Sequence, residues 1–487
     1  GYVTQEIVWK GTPLTVQLLE DTQKLDEVVV VGYGVQKKVN LTGAVSMVNA
    51  EVLESRPVQN VSQALQGQIP GLNLSVGSGG GSLDGSMNFN IRGAGTIGTG
   101  SSSSPLVLID GMEGNMNSIN PNDIENISVL KDASSASIYG ARAAFGVILI
   151  TTKNGKSGKT NVSYSGNVRF NDAIGIPKFA NSYDFATLFN AANINGGGTA
   201  IFNDTYMQNI RDYMDGKLEH STVPNGNVWA KWNEGAYDNV DWFKEFYKDW
   251  VPSQEHNVSV NGGSEKVQYF VSGSFLGQNG LSRHGSDDLQ RYTMNGKISA
   301  ELASWAKLNY STKWTREDFE RPSYLTGHFF HNIARKWPIQ PAYDPNGHPM
   351  NESEIEQMEN GGRQKNQKDY FTNQLALVFE PIKDWHINLE GSVRATVENQ
   401  HWDVLPVYYW DVNGNQQPMA WKMGDGSYVP GQSQVSEYGY KENYYATNLY
   451  TDYSKTYDSG HYFKVLAGFN AEKYTTRSIT GQRDGLI

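Results

Sequence analysis

The sequence predicts a small α+β domain followed by a transmembrane antiparallel β-barrel, of which about nine strands are present, and three observations carry that expectation. From about residue 160 the side chains alternate: Val162, Tyr164, Gly166, Val168 and Phe170 share one strand face, and Ser163, Ser165, Asn167 and Arg169 the other. The chain of 487 residues is polar on average, with a mean hydropathy of −0.52, and its best apolar run, Ala143–Ile150, is far short of the roughly 18–20 residues that a spanning helix needs. Finally, the connections between alternating segments come in two sizes, short and very long, as at the two rims of a barrel.

Gly1-Tyr2-Val3 carries no basic n-region and no apolar h-region, so a signal peptide is expected to be missing or already removed. After a β-like stretch at Val3–Leu19, Leu25 leads into Asp26 and Glu27 and then Val28, Val29, Val30 and Val31, ahead of the break Gly32-Tyr33-Gly34. Four β-branched residues in a row have strong strand propensity. The residues alone leave two readings open: a buried strand, or a detachable one that adds to another protein's sheet edge.

Asn60–Gly67 reads as a short helix capped by Asn60, with Gln63 placed as in a capping box and Gly67 as its stop. A second helix start follows at Asn120, with Pro121 in the first helical position and Asp123 at the positive end. Between them, strand-like Met87–Arg92 and Pro105–Asp110 flank a flexible stretch of glycine and serine. Ile127–Lys131 reads as a strand, Ser134–Tyr139 as a short helix ended by Gly140, and Val147–Thr152 as the apolar strand that closes the domain.

Composition and motifs exclude several chemistries. With 40 basic and 51 acidic residues the net charge is −11, the wrong sign for a nucleic-acid partner. The absence of cysteine removes disulfides, thiolate nucleophiles and Cys-ligated metals. Gly93-Ala94-Gly95-Thr96-Ile97-Gly98 spells a dinucleotide fingerprint, but Ser-Ser-Ser-Ser-Pro follows where a helix N-terminus would have to meet the phosphates. His328 and His331 have no nameable third ligand. Tyr343–Gly347 and Asp411–Asn415 resemble the start of a calcium loop yet lack the acidic twelfth position, and they read as Asn-Gly turns. No catalytic constellation, metal site or cofactor site stands out, so the chain is expected not to be an enzyme.

Beyond residue 160 the period-two pattern recurs near His256–Gly262, Val267–Phe275, Tyr292–Ala300, Ala306–Trp314, Phe371–Phe379, Trp385–Val393, Leu449–Tyr453 and Phe463–Phe469. Segments of about 9–11 residues suit a tilted strand crossing a bilayer. A soluble sandwich would place apolar faces together and carry fewer Lys, Asn and Arg in the opposite phase. The long connections Asp172–Ser253, Glu317–Tyr370 and Glu398–Tyr438 should face outward and are rich in Trp and Tyr. Trp402, Tyr408, Tyr409, Trp410 and Trp421 are candidates for stacking on the apolar faces of sugars, with loops that pack on their own aromatics as the competing reading.

Leu25–Gly34, Ser62–Gly67, Asn90–Gly93, Pro105–Gly111 and above all Ile119–Gly155, INPNDIENISVLKDASSASIYGARAAFGVILITTKNG, together resemble the TonB box and plug of SusC-like TonB-dependent outer-membrane transporters of Bacteroidota. The resemblance implies a plug inside a 22-stranded barrel. It assigns residues 1–24 to the end of a carboxypeptidase-regulatory-like extension, 25–40 to the TonB box and linker, 41–158 to the plug, and 159–487 to the N-terminal part of the barrel with long extracellular loops. It implies TonB binding through Asp26, Glu27, Val28, Val29, Val30 and Val31, and structural roles in the plug for Arg92, Gly93, Asp110, Gly111, Lys131, Tyr139, Gly140 and Arg142. Nine strands cannot close around such a plug, and Arg483–Ile487 is no terminal aromatic strand, so a fragment is expected. The implied activity is TonB-dependent import of oligosaccharides across the bacterial outer membrane. Its implied partners are TonB with ExbB and ExbD, a SusD-like surface lipoprotein and outer-membrane lipid. A peptide importer of the same family and a non-transporting carbohydrate-binding β-protein are the alternatives.

Overall fold

The computed structural model describes residues 28–31, 34–37, 45–54, 56, 58–76, 82–85, 87–93, 95–96, 103–419, 431, 433–457, 459 and 461–485. At its start β1 (Val28–Val31) pairs antiparallel with β2 (Gly34–Lys37).

The first domain comprises β3 (Val45–Asn49), α1 (Ala50–Glu54), α2 (Val61–Leu65), β4 (Leu72–Val76), β5 (Met87–Ile91), β6 (Leu106–Ile109), β7 (Met112–Glu113), β8 (Ile124–Leu130), α3 (Ala133–Ala136) and β9 (Val147–Thr152). Five of its strands form a sheet in the order β3-β8-β9-β6-β7, in which β6 and β9 run parallel. One face packs Ile127, Val129, Ile148 and Ile150 against Leu53, Val61, Leu65 and Met116. The other packs Leu108, Leu130, Val147 and Leu149 against Ala136 and Ala143. Cover on both faces explains why β9 is apolar at successive positions rather than alternating.

The local signals act as read. Asn60 accepts the Gln63 amide at 3.0 Å, and Gln63 Oε1 accepts the Gln59 amide at 3.2 Å, one residue upstream of the usual reciprocal bond. The segment read as a helix over Ser134–Tyr139 is different. Asp132 caps α3, the chain continues as a 3₁₀ turn over Ser137–Ala143, and Gly140 (φ 64°, ψ −151°) breaks that turn in a conformation closed to residues with a Cβ. The strand expected over Ile127–Lys131 starts three residues earlier, at Ile124.

Nine strands follow as one antiparallel meander: β10 (Gly158–Asn171), β13 (Val251–Gly263), β14 (Val267–Asn279), β15 (Asp288–Ala303), β16 (Ala306–Pro322), β17 (Arg363–Ile382), β18 (Trp385–Val404), β21 (Gln434–Thr456) and β22 (Tyr462–Asp484). Two short hairpins lie in the connections: β11 (Pro224–Asn225) with β12 (Val228–Trp229), and β19 (Tyr408–Trp410) with β20 (Gln416–Pro418). The first long connection also carries α4 (Ser182–Asn195), α5 (Asp204–Met214) and α6 (Trp242–Phe246); the second carries α7 (Gly327–Arg335) and α8 (Ile355–Asn360). All long connections emerge at one end of the sheet and the short ones at the other.

Strands of 13 to 23 residues exceed the 9–11 expected. β16, β17, β18 and β21 continue past the hydrocarbon-length segment into polar ladders. The loops therefore shrink to residues 172–250, 323–362 and 405–433. Backbone pairing continues where apolar alternation stops, and the alternation was the only strand signal the sequence offered there.

The register makes the sheet inside-out by the standard of a soluble protein. Tyr164, Val258, Gly273, Met294, Trp314 and Phe371 lie side by side across six strands on the outer face, with Val258 46% and Met294 58% exposed. The adjacent inward row, Asn257, Ser274, Thr293, Thr315, Tyr370, Thr396 and Glu442, is polar, with Asn257 6% and Thr293 5% exposed. Water does not favour apolar groups on the outside; hydrocarbon does. Val258→Arg should cost about 2–4 kcal/mol when unfolding is followed in a lipid bilayer, against roughly 0.5 kcal/mol or less for a water-facing valine. A neutral result there would contradict the lipid-facing assignment.

Candidate functional site

The first domain is anchored to the polar face of the sheet, and Asp110 is the centre of the anchor. It follows β6 with φ 48° and is itself followed by Gly111 at φ 87°, a turn that aims the carboxylate at the wall. Oδ1 accepts from the Thr152 amide at 2.9 Å and from Lys297 Nζ at 3.1 Å. Oδ2 accepts from Thr152 Oγ1 at 2.8 Å and from Lys313 Nζ. Gln374 donates to the Asp110 carbonyl at 3.2 Å. Burial alone would raise the carboxyl's pKa, but the two ammonium groups outweigh it and hold Asp110 well below the usual carboxylate range.

Further contacts spread outward from this point. Arg291 donates to the carbonyls of Asn117 (3.0 Å) and Gln59, and Thr315 to that of Ser118 (2.7 Å). Arg394 bridges the Glu113 carbonyl and the Glu442 carboxylate. Arg142 makes two 2.8 Å bonds to Glu472 and one of 3.2 Å to Glu113. Gly155 passes so close to β14 that a Cβ would sit 2.3 Å from the Tyr269 amide nitrogen, which only glycine permits. Between the β7 turn and the wall lies a cavity of about 330 Å³, lined by Glu113, Lys313, Tyr370, Arg394 and Glu442 among others. Its lining mixes carboxylates, cations and a phenol, a surface suited to a polar guest.

Above the long-loop end, the connections have cores of their own. Trp242, Phe246, Tyr324, Phe329, Ile333, Val404, Val407 and Met419 are buried together, drawn from three loops. A second cluster joins Ala186, Phe202, Tyr206 and Ile210 to Ile339, with Trp337 against it. The Asn-Gly turns are closed by their own aspartates: Asp344 accepts the amides of Asn346 (2.8 Å) and His348 (2.9 Å), and Asp411 those of Asn413 and Asn415 (both 2.9 Å).

Residues 37–147 match the family model described as TonB-dependent Receptor Plug Domain. TonB-dependent receptor SusC of Bacteroides thetaiotaomicron is 33% identical over 64% of this chain, and TonB-dependent receptor P26 of Formosa agariphila 32% identical over 71%. The chain belongs to the SusC-like TonB-dependent receptors. Those alignments span 28% and 32% of the two relatives' own lengths. The receptor chain also superposes on a solved structure of the RagAB peptide importer in its open-open state with a TM-score of 0.73, covering 94% of this chain and 50% of that one at 22% identity, a likeness of fold. The first domain is thus the receptor's plug, and the nine-stranded sheet is part of its barrel wall.

The residues singled out in the receptor's sequence fall in different places. Asp26 and Glu27 lie outside the described residues, while Val28–Val31 is β1. Arg92 (φ 60°) and Gly93 (φ 97°) form the turn after β5, where the Arg92 amide donates to the Gly71 carbonyl at 2.7 Å. Lys131 donates to the Pro70 carbonyl, and Tyr139 packs against the second core face. Asp110 and Arg142 turn out to reach the wall. Trp402 and Tyr409 pack against the larger loop core, Trp410 stacks on His348 (4.3 Å between centroids, 10° between planes), Tyr408 is exposed, and Trp421 lies outside the described residues. Sequence reasoning missed the wall's half of the anchor: Arg291, Lys297, Lys313, Gln374 and Arg394. Their signal was present as long cationic or amide side chains in the polar phase of strands, but nothing local says which of them the plug meets.

Proposed function

We propose that the intact receptor imports a bulky polar nutrient, an oligosaccharide in our reading, across the bacterial outer membrane with energy delivered through TonB. The observation that carries this is the plug tethered by ion pairs to the polar face of a wall whose other face is apolar. A plug held by breakable charge pairs seals at rest and can be shifted by force. The segment Asp26–Val31 supplies a strand for TonB to pair with, since main-chain hydrogen bonding by strand addition tolerates a four-valine edge and needs no preformed pocket. A SusD-like surface lipoprotein would cover the loop end, where Tyr408 and the Trp410–His348 stack offer ring faces for sugars. A peptide is the second reading, favoured by the mixed charges of Glu113, Lys313, Arg394 and Glu442 in the plug-side cavity.

The test is uptake of radiolabelled substrate by cells carrying the full-length receptor and its lipoprotein. Uptake should fall to background when a protonophore collapses the inner-membrane gradient, while surface binding persists. Excess unlabelled oligosaccharide should compete and a peptide mixture should not. Uptake indifferent to the protonophore would remove the active-transport reading, and competition by peptides alone would favour the second substrate class.

A further inference from the structure

The tip of the connection 280–287 is wedged between helices that belong to two other loops. His284 keeps 7% of its side chain exposed; Nε2 lies 2.9 Å from Glu245 Oε1 on α6, and Nδ1 lies 2.7 Å from Glu359 Oε1 on α8. A neutral imidazole donates from one nitrogen and accepts at the other, whereas an ionised carboxylate only accepts. Both contacts are therefore hydrogen bonds at once only when the ring is an imidazolium. The next residue, Gly285 at φ 64°, lies where a Cβ would come within 2.0 Å of the Met358 carbonyl oxygen on α8, so the fit of the tip against that helix depends on glycine.

The neighbours complete the cradle. Phe246 meets the His284 ring edge-on at 5.4 Å between centroids. From loop 323–362, Tyr343 donates to Glu245 at 3.2 Å, and Glu356 stands on α8 one turn before Glu359. From the tip itself, Arg283 donates to the carbonyls of Lys244 (3.2 Å) and Tyr247 (2.9 Å) at the end of α6, while the exposed Lys244 ammonium lies 3.8 Å from the Asp241 carboxylate.

We infer that His284, Glu245 and Glu359 form a proton-dependent clasp that holds the tip 280–287 against α6 of loop 172–250 and α8 of loop 323–362 while the imidazole is charged, and loosens that three-way junction when it is neutral, the two larger loops keeping their shared core. The functional meaning rests on the reading above that these loops face the external medium, where pH is not controlled by the cell. The direction follows from the surroundings: burial disfavours the charged ring, but the bonds to Glu245 and Glu359 outweigh it and raise the His284 pKa. A raised value means that the clasp is at full strength below about pH 6.5, the unfolded histidine value, and is lost as pH rises through the folded one.

The test is amide hydrogen exchange on the full-length receptor in lipid nanodiscs, from about pH 5 to 9 and corrected for the intrinsic pH dependence of exchange. Segments 242–246, 280–287 and 355–360 should be protected together at low pH and lose protection together, by about tenfold for each pH unit by which the folded pKa exceeds the unfolded one. His284→Gln should abolish that pH dependence and leave the three segments at the fast limit. Should that variant not fold, carbon-13 histidine resonances of the unaltered receptor serve instead, and a His284 titration above about 6.5 is the expected result. Protection that ignores pH, segments that open independently, or a His284 pKa at or below the unfolded value would each overturn the clasp. None of these readouts involves transport, so failure of the import proposal and failure of the clasp remain distinguishable.

Discussion

Asp110→Ala is expected to release the plug from the wall without unfolding either. The carboxylate is the shared counter-ion of Lys297 and Lys313, whose side chains are 11% and 15% exposed, and removing it leaves two neighbouring ammonium groups without a counter-charge, Lys297 keeping only the Thr152 carbonyl and Asn154 as acceptors. Breaking a buried pair in this one-sided way costs about 3–5 kcal/mol, more than building the pair contributes. The plug sheet loses less, because Thr152 remains in β9, paired with β8. The expected phenotype is a receptor that still assembles, with its plug sensitive to protease and the outer membrane permeable to large antibiotics that the intact receptor excludes.

A control separates charge from shape. Combining Asp110→Leu with Lys297→Met and Lys313→Met should restore much of the seal, since replacing all partners by apolar groups is often neutral. If Asp110→Ala neither leaks nor exposes the plug, the anchor is not the restraint described. The pH sense is equally definite. A carboxylate whose folded pKa is depressed contributes its stabilisation above the unfolded value of about 3.9 and loses it only as pH falls through the folded value. The Asp110 carboxylate therefore stays ionised throughout the range in which the His284 clasp would switch.

Deletion of Asp26–Val31 is expected to abolish uptake while leaving substrate binding unchanged. Among the described residues β1 is hydrogen-bonded to β2 alone and is a strand of neither the plug sheet nor the wall, so its removal breaks no ladder of either sheet. Binding at the proposed loop-end site uses none of these residues and should not change. Strand addition also predicts that Val29→Pro, which removes one main-chain donor and disfavours a ladder, should cut uptake nearly as far as the deletion, whereas Val29→Thr should be tolerated. Uptake that survives the deletion would assign energy coupling elsewhere in the chain.

Much of the fold was legible because its signals are local. The Asn60 cap, the β9 strand and the break at Gly140 depend on residues within a few positions of one another. The nine strands were visible as alternation, but only over the part of each that meets hydrocarbon. Above that band β17, β18 and β21 pair polar with polar, as at Asn366–Gln400 and Gln400–Tyr438, and no alternation marks them. The loop aromatics show the other limit. Trp242 and Trp402 have the same composition signal as an exposed ring, yet the first is fully buried and the second, which the structure places in β18, packs against the same core, because three separate loops converge there.

By itself the sequence determined that one face of each strand is apolar and the other polar, and that a Val-rich strand and a small sheet domain precede them, since these follow from neighbours in the chain. Which inward charges face the plug was decided by tertiary structure alone. Asp110 and Lys313 are 203 residues apart, and they meet because register places Lys297 and Lys313 on adjacent strands at the height of one turn. Electrostatic partnership inside a barrel is set by that long-range apposition, which no local pattern encodes.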